Sequence, residues 1–164
     1  MVGGSAWAAS LNNGATISGG RAVLATSGPY LKLPAGVLGV ASSVTIEGWV
    51  YVNSSSTGRA RIFDLGTSSC NNNILLYRTN VSGHLYLSKC TSGTSVDADS
   101  SLDFSSLGYF YFAVVLSTGR SALYINGNLS TSTSSALTIP TASQQVHEHA
   151  CKKLNMLRGY FRIF

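Results

Sequence analysis

Between Ser43 and Val52 the chain reads SVTIEGWVYV, in which Val44, Ile46, Val50 and Val52 alternate with Thr45, Glu47, Trp49 and Tyr51. A period of two marks a strand with one face on a core and the other turned outward. Similar short segments recur along the chain and predict strands near Ala15–Ser18, Ala22–Ala25, Tyr30–Leu33, Ser43–Val52, Ala60–Leu65, Ile74–Thr79 and His84–Lys89. Further strands are predicted near Tyr109–Ser117, Ser121–Asn126, Leu129–Thr131, Ala136–Ile139 and Tyr160–Phe164. Turn chemistry separates them: Asn126–Gly127 is a preferred two-residue hairpin signal, and STGR at Ser117–Arg120 and NVSG at Asn80–Gly83 are tight connections. The run Tyr109–Leu116, YFYFAVVL, is apolar at every position and predicts a central strand covered on both faces. Helical spacing is not sustained over three turns anywhere before residue 145.

A dozen short strands at regular spacing predict an all-β fold, an antiparallel two-sheet sandwich, in a single domain over residues 1–164. The segment Ser143–Arg158 breaks the pattern: it is polar, basic and poor in β-branched residues, and reads as a loop or a short helix. The chain after Ser143 is accordingly expected to be its least ordered part.

Composition supports this reading. Only 10% of the 164 residues are charged, against roughly a quarter in ordinary globular proteins, and serine, threonine, glycine and asparagine take their place. The net charge of +5 is uneven, with +2 carried by residues 1–140 and +3 by residues 141–164. No basic stripe interleaved with aromatics runs along the body, which argues against a nucleic-acid partner. No apolar run approaches the about 18 residues of a membrane span. The start, MVGGSAWAAS, lacks the basic and long apolar regions of a signal peptide, and the chain reads as a piece of a larger protein. Cys70 and Cys90 flank the hairpin formed by Ile74–Thr79 and His84–Lys89, a placement compatible with a disulfide in an oxidising compartment, with Cys151 left over.

Four blocks, in order, carry a family resemblance. GPYLKLPAGVLGVASSVTIEGWVYV resembles two successive strands of a laminin-G-like domain of the concanavalin A-like lectin/glucanase superfamily, RARIFDLG resembles the next, and LGYFYFAVVLSTGRSALYINGNL resembles the strand pair that follows. The resemblance covers about residues 14–140 and implies a jelly roll. Two positions depart from it: Tyr109 stands where the family often has tryptophan, and the C-terminal segment 143–164 is divergent, GYFRIF keeping only the outline of the family's closing strand.

The resemblance directs attention to particular side chains. Glycosidases of the superfamily carry an E-x-D-x-E strand, because cleavage needs an acid and a nucleophile or base on opposite sides of the bond. Here Glu47 is followed by Gly48 and Trp49, so the second carboxylate is missing, although Asp64 on another strand could approach it. Glu47 is expected to be a structural or ligand-contacting group paired with Arg61 or Arg78, and the protein is expected not to be an enzyme. His147, His149 and Cys151 would share one face of a strand with ligand types that zinc accepts, but i, i+2, i+4 spacing is poorly specific and no metal site is assigned. Laminin-G-like domains sometimes bind calcium through rim aspartates; Asp97, Asp99 and Asp103 lack EF-hand spacing and read as a solvated acidic loop, and no cofactor is assigned. Asn53, Asn80 and Asn128 head glycosylation sequons.

The remaining chemistry lies in aromatics that alternate with core positions. Glu47, Trp49 and Tyr51 form one such set, His84 and Tyr86 another opposite Leu85 and Leu87, and Tyr124 and Asn126 a third opposite Leu123 and Ile125. Sugar rings stack on exposed aromatic faces while polar neighbours fix hydroxyls. Glu47, Trp49, Tyr51, Tyr86, Tyr124 and Asn126 are therefore the candidate ligand-binding residues. The expected function is non-catalytic recognition of a glycan in an extracellular or cell-surface protein. The alternatives are a protein-binding adhesion module for an extracellular partner and an accessory domain of a larger secreted enzyme.

Overall fold

A computed structural model of the chain describes residues 9–24, 28–34, 42–52, 60–66, 73–79, 82–91, 94–104, 108–134, 154–156 and 162–163. Fourteen strands run through them: β1 (Ser10–Asn12), β2 (Thr16–Ser18), β3 (Arg21–Leu24), β4 (Tyr30–Lys32), β5 (Ser43–Val52), β6 (Ala60–Leu65) and β7 (Asn73–Arg78), then β8 (His84–Thr91), β9 (Thr94–Asp103), β10 (Tyr109–Ser117), β11 (Arg120–Ile125), β12 (Asn128–Thr133), β13 (Leu154–Met156) and β14 (Arg162–Ile163). The large sheet has the order β12-β11-β10-β5-β13-β3-β2, with β14 also on β5; the small sheet has the order β6-β7-β8-β9, and β1 pairs β4 separately. Every pairing is antiparallel. The protein is an all-β sandwich of jelly-roll type.

The alternation read from the sequence explains how the layers close. Val44, Ile46 and Val50 of β5 and Phe110, Phe112, Val114 and Leu116 of β10 are buried on the inner face of the large sheet. Ile74 and Leu76 of β7 and Leu85 and Leu87 of β8 meet them from the small sheet in one continuous cluster. Phe63 and Phe112, one from each sheet, approach with ring centroids 6.2 Å apart, and Phe104 and Phe110 with centroids 4.8 Å apart. In β6 a register shift between Arg61 and Phe63 accommodates one extra residue, so Ile62 and Phe63 are both buried although they are consecutive. The Asn126–Gly127 hairpin forms with φ of 49° and 83°, the left-handed pair that such a turn needs.

Four readings are corrected. Tyr109–Leu116 is not covered on both faces: its inner positions are buried, whereas Tyr109 is exposed and Tyr111, Ala113 and Val115 are half-buried. Asp97, Asp99 and Asp103 do not lie in a loop but belong to β9, a ten-residue strand paired along β8, on which Asp97 and Asp103 are solvent-exposed. Leu154–Met156, inside the segment read as loop or short helix, is a strand inserted between β5 and β3. β1 had no counterpart among the predicted strands, because SLN carries neither alternation nor β-branched residues. The expected strand Ala136–Ile139 lies outside the described residues.

Aspartate suits a strand poorly, and β9 holds three: Asp97 and Asp103 are exposed, while Asp99 is held by partners on both β8 and its own strand. Asp99 accepts hydrogen bonds from Tyr86 Oη at 3.0 Å and from the Ser101 backbone N–H at 2.8 Å, and it contacts His84 Nδ1 at 2.9 Å. Where the β8–β9 register shifts, Ser100 Oγ accepts the Leu85 N–H that the ladder leaves over. Burial alone would raise the Asp99 pKa, but the Ser101, His84 and Tyr86 interactions outweigh it and hold the pKa below the usual carboxylate value. A lowered folded-state pKa contributes stability that is present above the unfolded-state value of about 3.9 and is lost as pH falls through the folded one. Asp99→Asn is therefore expected to shrink the fall in urea midpoint between about pH 7 and about pH 3. An unchanged acid limb would show that Asp99 plays no part in it.

Candidate functional site

The outward face of the large sheet is built on β5 and β10. Register places Trp49 opposite Tyr111 and Tyr51 opposite Tyr109. Their rings pair across the strands, Trp49 and Tyr111 at 5.6 Å between centroids and Tyr51 and Tyr109 at 4.8 Å, both tilted. Directly opposed cross-strand side chains are the closest neighbours a sheet offers, so two adjacent rows of one face become aromatic. Trp49 is 43% and Tyr109 39% exposed, so neither row is sealed.

The next row along β5 is polar. Glu47 lies opposite Ala113, and Ala113 opposite Tyr124 of β11, which in turn faces Leu129 of β12. Tyr111 Oη donates a hydrogen bond to Glu47 Oε2. The expected arginine partner is not there: Arg61 pairs with Asp64 at 2.6 Å, and both Arg61 and Arg78 belong to the small sheet, whereas β5 is flanked by β10, β13 and β14. The pairing failed because two strands close in sequence lie in different layers. Among the described side chains a tyrosine hydroxyl on the adjacent strand is the partner of Glu47, and Arg162 of β14 stands opposite Glu47 in the ladder on its other side.

Of the six candidate residues, Glu47, Trp49, Tyr51 and Tyr124 share this face. Asn126 stands at its end, in the β11–β12 turn, and its carboxamide is engaged structurally: Oδ1 accepts the Tyr111 N–H at 2.9 Å, while its own backbone N–H donates to the Tyr111 carbonyl. Tyr86 is elsewhere. It lies on the outward face of the small sheet, stacked on Tyr77 at 5.6 Å and 14° between ring planes, so the six do not form one surface. Tyr109 and Tyr111 were missed. Their sequence signal was the placing of tyrosine at every second position of YFYF, which the apolar character of the whole run concealed.

Asp64 is 3% exposed and accepts Arg61 on one oxygen and Asn73 Nδ2 on the other at 2.7 Å, so it does not approach Glu47. Among the described residues no group of three or more His, Cys, Asp or Glu could hold a metal ion. No described helix is long and apolar enough to cross a membrane. Cys90 is disulfide-bonded; Cys70 and Cys151 lie outside the described residues, as do Asn53, Asn80, His147 and His149. Asn128 is exposed at the start of β12.

A family model, Laminin_G_3 of the concanavalin A-like lectin/glucanases superfamily, matches residues 25–150. The chain belongs to this family. Superfamily membership agrees with the sheet order and accounts for the four sequence blocks. No curated protein matches the chain by sequence. Among solved structures, the chain resembles one described as "Cell entry of botulinum neurotoxin type C is dependent upon interaction with two ganglioside molecules". The TM-score is 0.72 at 16% identity, over 96% of this chain and 43% of that one. It also resembles the binding domain of botulinum neurotoxin DC in complex with SialylT, with TM-score 0.69 at 19% identity over 96% and 41%. A carbohydrate-binding module, CBM66 from Bacillus subtilis, aligns over 94% of both chains with TM-score 0.64 at 9% identity. At such identities the likeness is one of fold. The chain spans about two fifths of the length of the toxin binding domains.

Proposed function

We propose that this laminin-G-like domain is a non-catalytic carbohydrate-recognition module, and that the outward face of β5, β10 and β11 is its binding surface. The observation that carries the proposal is the pair of cross-strand aromatic rows, Trp49–Tyr111 and Tyr51–Tyr109, open to solvent beside a hydrogen-bonded carboxylate. Aromatic planes supply stacking area for a sugar ring, and a carboxylate accepts its hydroxyls. The carbohydrate-binding or ganglioside-dependent descriptions of similarly folded proteins support the reading. The disulfide at Cys90 supports an oxidising, extracellular or cell-surface setting within a larger protein.

A glycan-array screen on the folded domain tests the proposal. Trp49→Ala is expected to weaken binding of the best ligand by roughly tenfold or more, with a smaller fall in the unfolding midpoint than truncation of an inner-face aromatic, because Trp49 is 43% exposed on the outer face. Retained affinity in that variant would remove this face from consideration. A second reading, a protein-binding adhesion module, draws on Leu129, which is 51% exposed next to Tyr124 and extends the face with an apolar side chain. A protein ligand bound in the absence of any glycan ligand would favour it.

The non-catalytic part is supported by the positions of the acids. The described aspartates, Asp64, Asp97, Asp99 and Asp103, all belong to the small sheet, leaving Glu47 without an opposing carboxylate among the described residues of its face. Hydrolysis of a glycosidic bond needs that second group. Incubation with β-glucans is expected to release no reducing ends. Cleavage that Glu47→Gln abolishes without unfolding the domain would make the protein a hydrolase.

A further inference from the structure

We propose that the native domain carries a site of spontaneous covalent modification at Asn13, which deamidates, while Asn126, in the same dipeptide, is protected by its tether to β10. The chain contains two Asn–Gly pairs, Asn13–Gly14 and Asn126–Gly127. Sequence does not rank them, and neither does the backbone: φ is 52° and 82° at the first pair and 49° and 83° at the second. Both asparagines are exposed, and nothing lies within 4 Å of a Cβ built on either glycine. The chemistry is also the same. Glycine has no side chain to hinder its own nitrogen. That nitrogen gives its proton to base and attacks the asparagine Cγ. A C–N bond forms, the Cγ–Nδ2 bond breaks, and ammonia leaves with a proton from solvent. Water then opens the cyclic imide at one carbonyl or the other, giving aspartate or isoaspartate.

The two sites differ in how they are held. Asn126 Oδ1 accepts the Tyr111 N–H at 2.9 Å, and the Asn126 N–H donates to the Tyr111 carbonyl. These bonds aim the carboxamide at β10, whereas Gly127 leads into β12, on the opposite side of β11. Accepting a hydrogen bond polarises the carbonyl, which favours attack. The same bond keeps Cγ from turning towards the Gly127 nitrogen, and orientation wins because ring closure needs a near-attack geometry. Releasing the carboxamide leaves the Tyr111 N–H without that acceptor and parts a hairpin of two six-residue strands. Asn13 is held through the group that departs: its Nδ2 donates to the Gly28 carbonyl at 3.1 Å. Its turn is closed by the Ala15 N–H on the Asn12 carbonyl, between three-residue strands that pair with other partners, β1 with β4 and β2 with β3. β2 ends the large sheet and is exposed at every position. Short exposed strands at a sheet edge open at lower cost than a hairpin inside a continuous ladder. The outcome differs as well. Conversion of Asn13 replaces the donor to Gly28 with a carboxylate, which accepts only, whereas conversion of Asn126 to aspartate keeps an acceptor for Tyr111.

The test incubates the protein at mildly alkaline pH, folded in buffer and unfolded in guanidinium chloride, and follows deamidation at both sites by peptide mapping with mass spectrometry. In the unfolded chain the two sites are expected to react at similar rates. In the folded protein Asn13 is expected to react roughly tenfold or more faster than Asn126. A smaller folded-state preference, or one for Asn126, overturns the inference. A preference for Asn13 of the same size in the unfolded chain also overturns it, because the fold would then not be the cause. So does an Asn13 that stays intact in the folded protein for as long as the unfolded chain takes to convert. Hydrogen exchange gives an independent readout: the Ala15 amide, which closes the first turn, is expected to exchange faster than the Tyr111 amide, which holds the second. The reverse order would remove the physical basis of the proposal.

Discussion

Phe112→Ala is expected to destabilise the domain by about 3–5 kcal/mol, seen as a lower denaturant midpoint at nearly constant m. Phe112 is 1% exposed at the middle of β10, and its ring meets Phe63 from the opposite sheet. Truncation there removes buried apolar surface and opens a cavity between two hydrogen-bonded layers that cannot easily collapse to fill it. Trp49→Ala removes a larger side chain one strand away and is expected to cost less stability, since Trp49 is 43% exposed on the outer face whereas Phe112 is enclosed. The two substitutions thus separate the sandwich's inner face, which holds the fold together, from its outer face, which is free to bind. Similar costs for both would mean that the outer aromatics are structural.

Gly66→Ala should be nearly as damaging, by a different mechanism. A Cβ at Gly66 would lie 2.5 Å from Asn73 Cγ and 2.7 Å from Asn73 Cα. A flexible side chain could swing away, but Cα is backbone, and Asn73 is held by its bond to Asp64 and by its ladder position opposite Cys90. Relief therefore requires β7 to move, at about 3 kcal/mol or more. Gly119→Ala is the control. Nothing lies within 4 Å of its Cβ position, and only the φ of 96° opposes the change, so about 1 kcal/mol is expected. Chemical denaturation of the two variants side by side distinguishes crowding from backbone strain.

Much of the fold was legible because its determinants are local. β5, β6 and β10 were predicted with the bounds observed, since each shows alternation or an apolar run closed by turn residues. β9 was not, because aspartate and serine disfavour strands intrinsically, and the pairing along β8 that holds them extended is not a local signal. β13 was hidden for a related reason: three residues amid basic and polar neighbours carry no period, and two partner strands impose the extended form. The site was half legible. Alternation assigned Glu47, Trp49 and Tyr51 to a common outward face, but which strand lies beside β5, and in what register, depends on distant pairing. Tyr111 as the partner of both Trp49 and Glu47 was therefore out of reach, and Tyr86 was assigned to a surface that belongs to the other layer.

The insertion of β13 between β3 and β5 also bears on how the protein is made. Leu24 finds its ladder partner in Leu154, some 130 positions later. At ordinary elongation rates the ribosome needs on the order of ten seconds to traverse that interval. The β2–β3 hairpin must wait through it with an open edge, and an open edge is a template for pairing with another chain. The central strands can assemble as they emerge, but this side of the large sheet closes only after Met156 has left the exit tunnel. A nascent chain stalled before that point would present to chaperones a nearly finished sandwich with one side unzipped.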